Sequence, residues 1–72
     1  MANFKLFEQR DGSSIPRLVA EEHKFSHLRP HINRILNDHD RTCELDEALE
    51  GLEARGYYVI GWSSRILTVE ED

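Results

Sequence analysis

Between residues 26 and 38 the apolar side chains return with the period of a helix. Leu28, Ile32, Ile35 and Leu36 stand at i, i+4, i+7 and i+8, one buried stripe on an otherwise polar segment. The stretch "SHLRPHINRILND" is therefore expected to be helical. Ser26 is its expected N-cap, and Pro30 falls in the first turn, where no intrahelical amide is lost. Asn37-Asp38-His39-Asp40 is expected to end it. A second stripe, Leu45, Ala48, Leu49 and Leu52, predicts a helix over "TCELDEALEGLEARG", capped by Thr42. Glu44, Asp46 and Glu47 sit near its positive end, and Arg55 near its negative end. Gly56 is a good left-handed stop. Gly51 in mid-helix costs roughly 1 kcal/mol relative to alanine, so it either allows a close approach or is merely tolerated.

The flanks have the shorter period of strands. "FKLFEQR", "DG" and "SSIPRLVA" read as a hairpin, with Asp11-Gly12 supplying the positive φ angles of a tight turn. Phe4 and Leu6 alternate toward the core, while Phe7 faces the other way or marks a change of register. Pro16 cannot donate to a ladder, which makes the second strand an edge. "YYVIGWSSRILTVEED" is rich in β-branched and aromatic residues. It breaks at Gly61–Ser64 into a hairpin of "YYVIG" and "RILTVEE", or else forms one long bent strand.

The element order is ββααββ. Every apolar stripe is satisfied by one small α+β domain over residues 1–72, an antiparallel sheet with two helices on one face. Seventy-two residues lie near the lower limit for a self-sufficient core, so partner binding or a homodimer is expected. No apolar run is long enough to span a bilayer, and no membrane partner is expected. The start "MANFKLFEQRDG" lacks the basic and apolar blocks of a signal peptide, and the single Cys43 permits no internal disulfide. Both point to the cytoplasm.

Charge changes this picture. The net charge is −5, but residues 1–37 carry six Lys and Arg against four acids, and residues 38–72 carry three against ten. The second half is a poor match for phosphate backbones and a better one for a basic protein surface. On the second helix Asp46, Glu50 and Glu53 follow i, i+4, i+7 beside the leucine stripe, with Glu47 among them. Such a row is either a solvated face or a docking surface for a positively charged partner, which it would meet by fast, salt-sensitive encounter. In the hairpin that follows, Tyr58, Ile60 and Trp62 share one parity, Tyr57 and Val59 the other. One set faces the core and the other is left for the outer sheet face or a partner. The expected contact surface combines Asp46, Glu47, Glu50 and Glu53 with Tyr57, Tyr58 and Trp62. That expectation fails if Arg29, Arg34 and Arg41 fold over the acids and neutralise them.

Histidines at 23, 27 and 31 stand four residues apart in "HKFSHLRPH". They share a face only if one helix runs through all three, with Pro30 kinking it. A helix that begins at Ser26 stacks His27 and His31 alone, short of the three or four ligands of a stable zinc site. Solvated or partly packed histidines are the simpler reading, with pH sensing as the other use of clustered imidazoles. His39 beside Cys43 suggests a base and a nucleophile, but the surrounding acids oppose a reactive thiolate. There is no phosphate loop, nucleophile elbow or HExxH, and little room for a walled pocket. No enzymatic activity, cofactor or metal is expected.

The segment "DEALEGLEARGYYVIGWSSRILTVEE" resembles the end of a winged-helix DNA-binding domain, a helix closing in "LEARG" followed by an aromatic strand, a turn and a second strand. The resemblance covers about a third of the chain. It implies a transcriptional regulator that would contact DNA through Lys24, Arg29, Arg34 and Arg65, because the helix that would enter the groove carries Glu44, Asp46, Glu47, Glu50 and Glu53. Those acids disfavour nucleic acid and favour protein. The expectation is therefore a small acidic regulator or inhibitor of a basic protein that itself handles nucleic acid. Short acidic chains of this kind also resemble phage or mobile-element accessory proteins.

Overall fold

A computed structural model describes residues 3–10, 15–60 and 65–71. Four antiparallel strands form one sheet: β1 (Phe4–Gln9), β2 (Arg17–Glu22), β3 (Tyr57–Val59) and β4 (Ile66–Glu71), in the order β2-β1-β4-β3. Two helices, α1 (Arg29–Asp38) and α2 (Leu45–Arg55), lie between β2 and β3 in sequence and cover one face. This is the α+β arrangement in ββααββ order that the periodicities imply. The expected turns at Asp11-Gly12 and Gly61–Ser64 fall outside the described residues. Val59 pairs with Ile66, so the last two strands form a hairpin pairing and not one bent strand.

β2 is an edge, as Pro16 requires, and begins directly after it. β1 and β4 are central and pair over six residues, from Phe4↔Glu71 to Gln9↔Ile66. The inward parity of β1 is Phe4, Leu6 and Glu8; Phe7 points to the other face. The β1–β2 register shifts between Leu6 and Phe7, so both readings of Phe7 hold together. Val19 is the extra residue of that bulge, and Val19 and Ala20 both reach the core.

Both helices start later than their sequence caps suggest. Phe25–Leu28 is a 3-10 turn, and the N-cap position of α1 is Leu28, which makes no side-chain cap bond. Ser26 thus lies inside the turn. Pro30 accounts for the correction. It has no N–H to give the Ser26 carbonyl in the α pattern, so that carbonyl takes the Arg29 amide in the tighter i+3 spacing. Likewise Thr42–Glu44 is a 3-10 turn, and Glu44, not Thr42, occupies the N-cap position of α2.

The stops are better matched. Asp40 adopts φ 56, and the Arg41 amide bonds the Leu36 carbonyl at 2.8 Å, closing α1 as a glycine would. Gly56 adopts φ 86 and donates to the Leu52 carbonyl, while its own carbonyl accepts from Val69 at 2.9 Å. One residue therefore ends α2 and joins the sheet.

Leu6, Leu28, Ile32, Leu36, Ile60 and Leu67 are fully buried, with Ile35, Ala48, Leu52 and Tyr58 completing the core. All four residues of the α1 stripe are among them. A Cβ at Gly51 would lie 2.7 Å from Arg55 Nη2 and 3.3 Å from Tyr58 Cδ1, so this glycine leaves room for the Arg55 side chain and the Tyr58 ring against α2. Among the described residues no helix is long and apolar enough to cross a membrane.

Candidate functional site

Asp46, Glu47, Glu50 and Glu53 all lie on the exposed side of α2. The helix presents them because Ala48, Gly51 and Leu52 turn the opposite side into the core. Neutralisation by arginine is slight. Arg29 Nη1 stands 3.8 Å from an oxygen of Asp46, a pair exposed on both sides. Arg41 turns instead to Glu44, at 3.4 Å. Arg34 is exposed on α1. Among the described residues, Glu47, Glu50 and Glu53 meet no basic group within 4.0 Å.

The aromatics are distributed differently from the expectation. Tyr58 is only 7% exposed and packs into the core, so it is not a surface anchor. Strand alternation gives the inward parity to Tyr58 and Ile60 because those are the residues that meet the helices. Tyr57 and Val59 take the outer face, and the Arg55 guanidinium lies 5.3 Å over the Tyr57 ring. Trp62 lies outside the described residues. The acids of α2 and Tyr57 therefore do not share one surface; the sheet separates them.

That outer face is apolar over part of its area, beside a charged row of Glu21, Lys5 and Glu70. Leu18, Phe7, Thr68 and Tyr57 form one row across all four strands, with Ile66 and Val59 in the next. Leu18, Tyr57 and Val59 are 44–50% exposed.

Inside the fold, the Tyr58 hydroxyl donates a hydrogen bond to Glu44 Oε1, while Arg41 holds the other oxygen. Burial, followed by the hydrogen bond to Glu44 and its charge, raises the Tyr58 pKa. A raised phenol stays protonated in the folded chain where the unfolded chain begins to ionise. Stability is therefore complete below the ordinary tyrosine value of about 10 and falls as pH rises above it. Tyr58→Phe is expected to cost about 1 kcal/mol at neutral pH and to remove that alkaline loss. Denaturant midpoints of both proteins at about pH 8 and about pH 11 provide the check.

A second cluster carried no weight in the sequence. Glu8, 4% exposed on the inner face of β1, accepts from Arg17 at 3.1 Å and from Arg65 at 3.2 Å, with Arg10 at 3.9 Å. Arg65 also donates to His39 Nε2 at 2.7 Å, which requires the lone pair of a neutral imidazole. The signal was present: Glu8 shares the parity of Phe4 and Leu6, and alternation alone places its carboxylate inward. The basic partners come from 9 and 57 residues away, beyond any local pattern. The cluster ties β1, β2, the segment before β4 and the end of α1 together.

The three clustered histidines do not share a helix. His27 is in the 3-10 turn, His31 is in α1, and His23 precedes both. His31 Nε2 is 2.9 Å from Glu22 Oε2, linking α1 to β2. Among the described residues no group of three or more His, Cys, Asp or Glu is placed to hold a metal. Cys43 is exposed.

In the segment likened to a winged helix the final strand, β4, is a central strand held by β1 and β3, and the turn that would form the wing lies outside the described residues. The chain forms a small two-layer α+β protein with an acidic helix face on one side and a partly apolar sheet face on the other. Compared with protein-family models, curated proteins and solved structures, the chain matches none.

Proposed function

We propose that this protein binds a positively charged protein through the outer face of α2, and that it acts as a regulator or inhibitor of that partner. The observation that carries the reading is the row Glu47, Glu50 and Glu53. These carboxylates are exposed on one helix and meet no basic group within 4.0 Å among the described residues. Like charges so placed repel one another by some tenths of a kcal/mol per pair, a cost that a basic partner would relieve. The same carboxylates would face the phosphates of nucleic acid, so a protein that itself handles nucleic acid is the partner class we favour. The exposed thiol of Cys43 fits a reducing, cytoplasmic setting. A homodimer would have the open sheet face around Leu18, Tyr57 and Val59 available to it.

The test is charge reversal. Glu47→Lys, Glu50→Lys and Glu53→Lys together are expected to leave the melting temperature nearly unchanged, because all three side chains are exposed. They are expected to weaken capture of a basic partner by at least about tenfold at low salt. Equal recovery of the same partner by both proteins removes the proposal.

A further inference from the structure

A groove runs along the flank of α2, beside the acids on which the proposed function rests. One part, of about 330 Å³, lies between Phe25, Arg29, Leu49, Glu50 and Glu53. A second, of about 400 Å³, lies between Phe4, Phe25, Glu53, Arg55, Val69 and Glu71. The two adjoin at Phe25 and Glu53, between the 3-10 turn, α2 and the end of the sheet. Its floor is apolar: Phe25 stacks edge-on against Phe4 with ring centroids 6.0 Å apart, flanked by Leu49 and Val69. Its rim carries three carboxylates and two guanidiniums. Glu50, Glu53 and Glu71 are exposed and meet no basic group within 4.0 Å among the described residues, while the two arginines of the rim are turned elsewhere, Arg29 to Asp46 and Arg55 over the Tyr57 ring.

We infer that this groove receives an amphipathic basic helix of the partner. The inference rests on the proposed function and specifies which part of the partner is held. An apolar floor alone would accept any hydrophobic segment, and an acidic face alone any cation. The combination selects a segment with apolar residues on one side and lysines or arginines along its flanks. The segment of α2 from Leu49 to Arg55 spans roughly 9 Å at about 1.5 Å per residue, which matches about two turns of a bound helix. Glu50 and Glu53, three apart on the same helix, are spaced to meet basic residues at i and i+3 or i+4 of a helix laid alongside.

The experiment titrates the full chain with two synthetic peptides of identical lysine and leucine composition. In one the leucines stand at i, i+3, i+4 and i+7; in the other the order is scrambled to abolish the apolar side. Amide chemical shifts and calorimetry are read together. The expected result is tighter binding of the amphipathic peptide by at least about tenfold, with shifts centred on Phe25, Leu49 and Val69. Leu49→Gln, which keeps the half-buried position filled, is expected to remove that preference without abolishing residual salt-sensitive binding. Equal binding of the two peptides, with shifts along Glu47, Glu50 and Glu53 only, overturns the groove and leaves the acidic-face reading standing. Binding of neither peptide overturns both. Concentration-dependent shifts of Phe25, Leu49 and Val69 in the absence of peptide would assign the groove to a second copy of this chain and overturn the inference.

Discussion

Leu67→Ala is expected to lower the unfolding free energy by about 2–5 kcal/mol, one of the largest effects of any single truncation in this chain. Leu67 is fully buried on β4, a central strand. It sits opposite Glu8 on one side and Tyr58 on the other, beneath the two helices. Removing its branched side chain loses the transfer energy and leaves a cavity that neighbours on three elements cannot close. A 72-residue domain has about 4–10 kcal/mol in total, so a visible fraction of the variant is expected to be unfolded at physiological temperature. Leu18→Ala, at a half-exposed site on the open sheet face, is expected to change stability by less than about 0.5 kcal/mol. Urea titrations followed by circular dichroism provide the comparison; a midpoint for Leu67→Ala no lower than that for Leu18→Ala would contradict this account of the core.

Glu8→Ala is expected to cost about 2–3 kcal/mol. The carboxylate is buried and two guanidiniums converge on it within 3.2 Å. Breaking a fully buried pair costs more than this. Here Arg17 keeps 64% of its side chain in solvent and can be rehydrated, which lowers the expected loss. Arg65 is more enclosed, with 28% exposure, and bears most of the penalty. Glu8→Leu is expected to recover part of the loss, because an apolar side chain of similar size suits the parity of Phe4 and Leu6. A double-mutant cycle with Arg65→Met checks the origin of the effect. Strict additivity of the two substitutions would mean that the ion pair contributes nothing and that Glu8 is held by packing alone.

These two positions mark where local pattern serves and where it stops. Leu67 could be assigned to the core from the alternation of "RILTVEE", and the structure buries it. Glu8 could be assigned an inward direction by the same rule, but nothing nearby announces that Arg17 and Arg65 arrive to neutralise it. The helix starts show a different limit. Ser26 and Thr42 have the chemistry of N-caps, yet each lies in a 3-10 turn. At the first, the missing amide of Pro30 outweighs the preference of Ser26, a competition that residue preferences taken singly do not reveal.

The candidate site divides in the same way. The acid row was legible because helical spacing sets which side chains share a face. Its separation from Tyr57 was not, because it depends on which face of the sheet the helices cover. Tyr58 and Tyr57 are adjacent and chemically identical; the helices bury one and leave the other out. Phe25 forms the floor of the groove only because β1 brings Phe4, and β4 brings Val69, from opposite ends of the chain.

By itself the sequence determined the elements, their order, the buried stripes of both helices, the stop at Gly56 and the acidic face of α2. Each of these follows from the 3.6- or two-residue repeat of side-chain direction or from the backbone freedom of single residues, which act over a few positions. Only the tertiary structure decided the strand order, the placement of Tyr57 and Tyr58, the partners of Glu8 and the existence of the groove. Those depend on contacts between residues as far apart in the chain as Phe4 and Glu71, and the favourable energy of such contacts appears only once the chain has closed on itself.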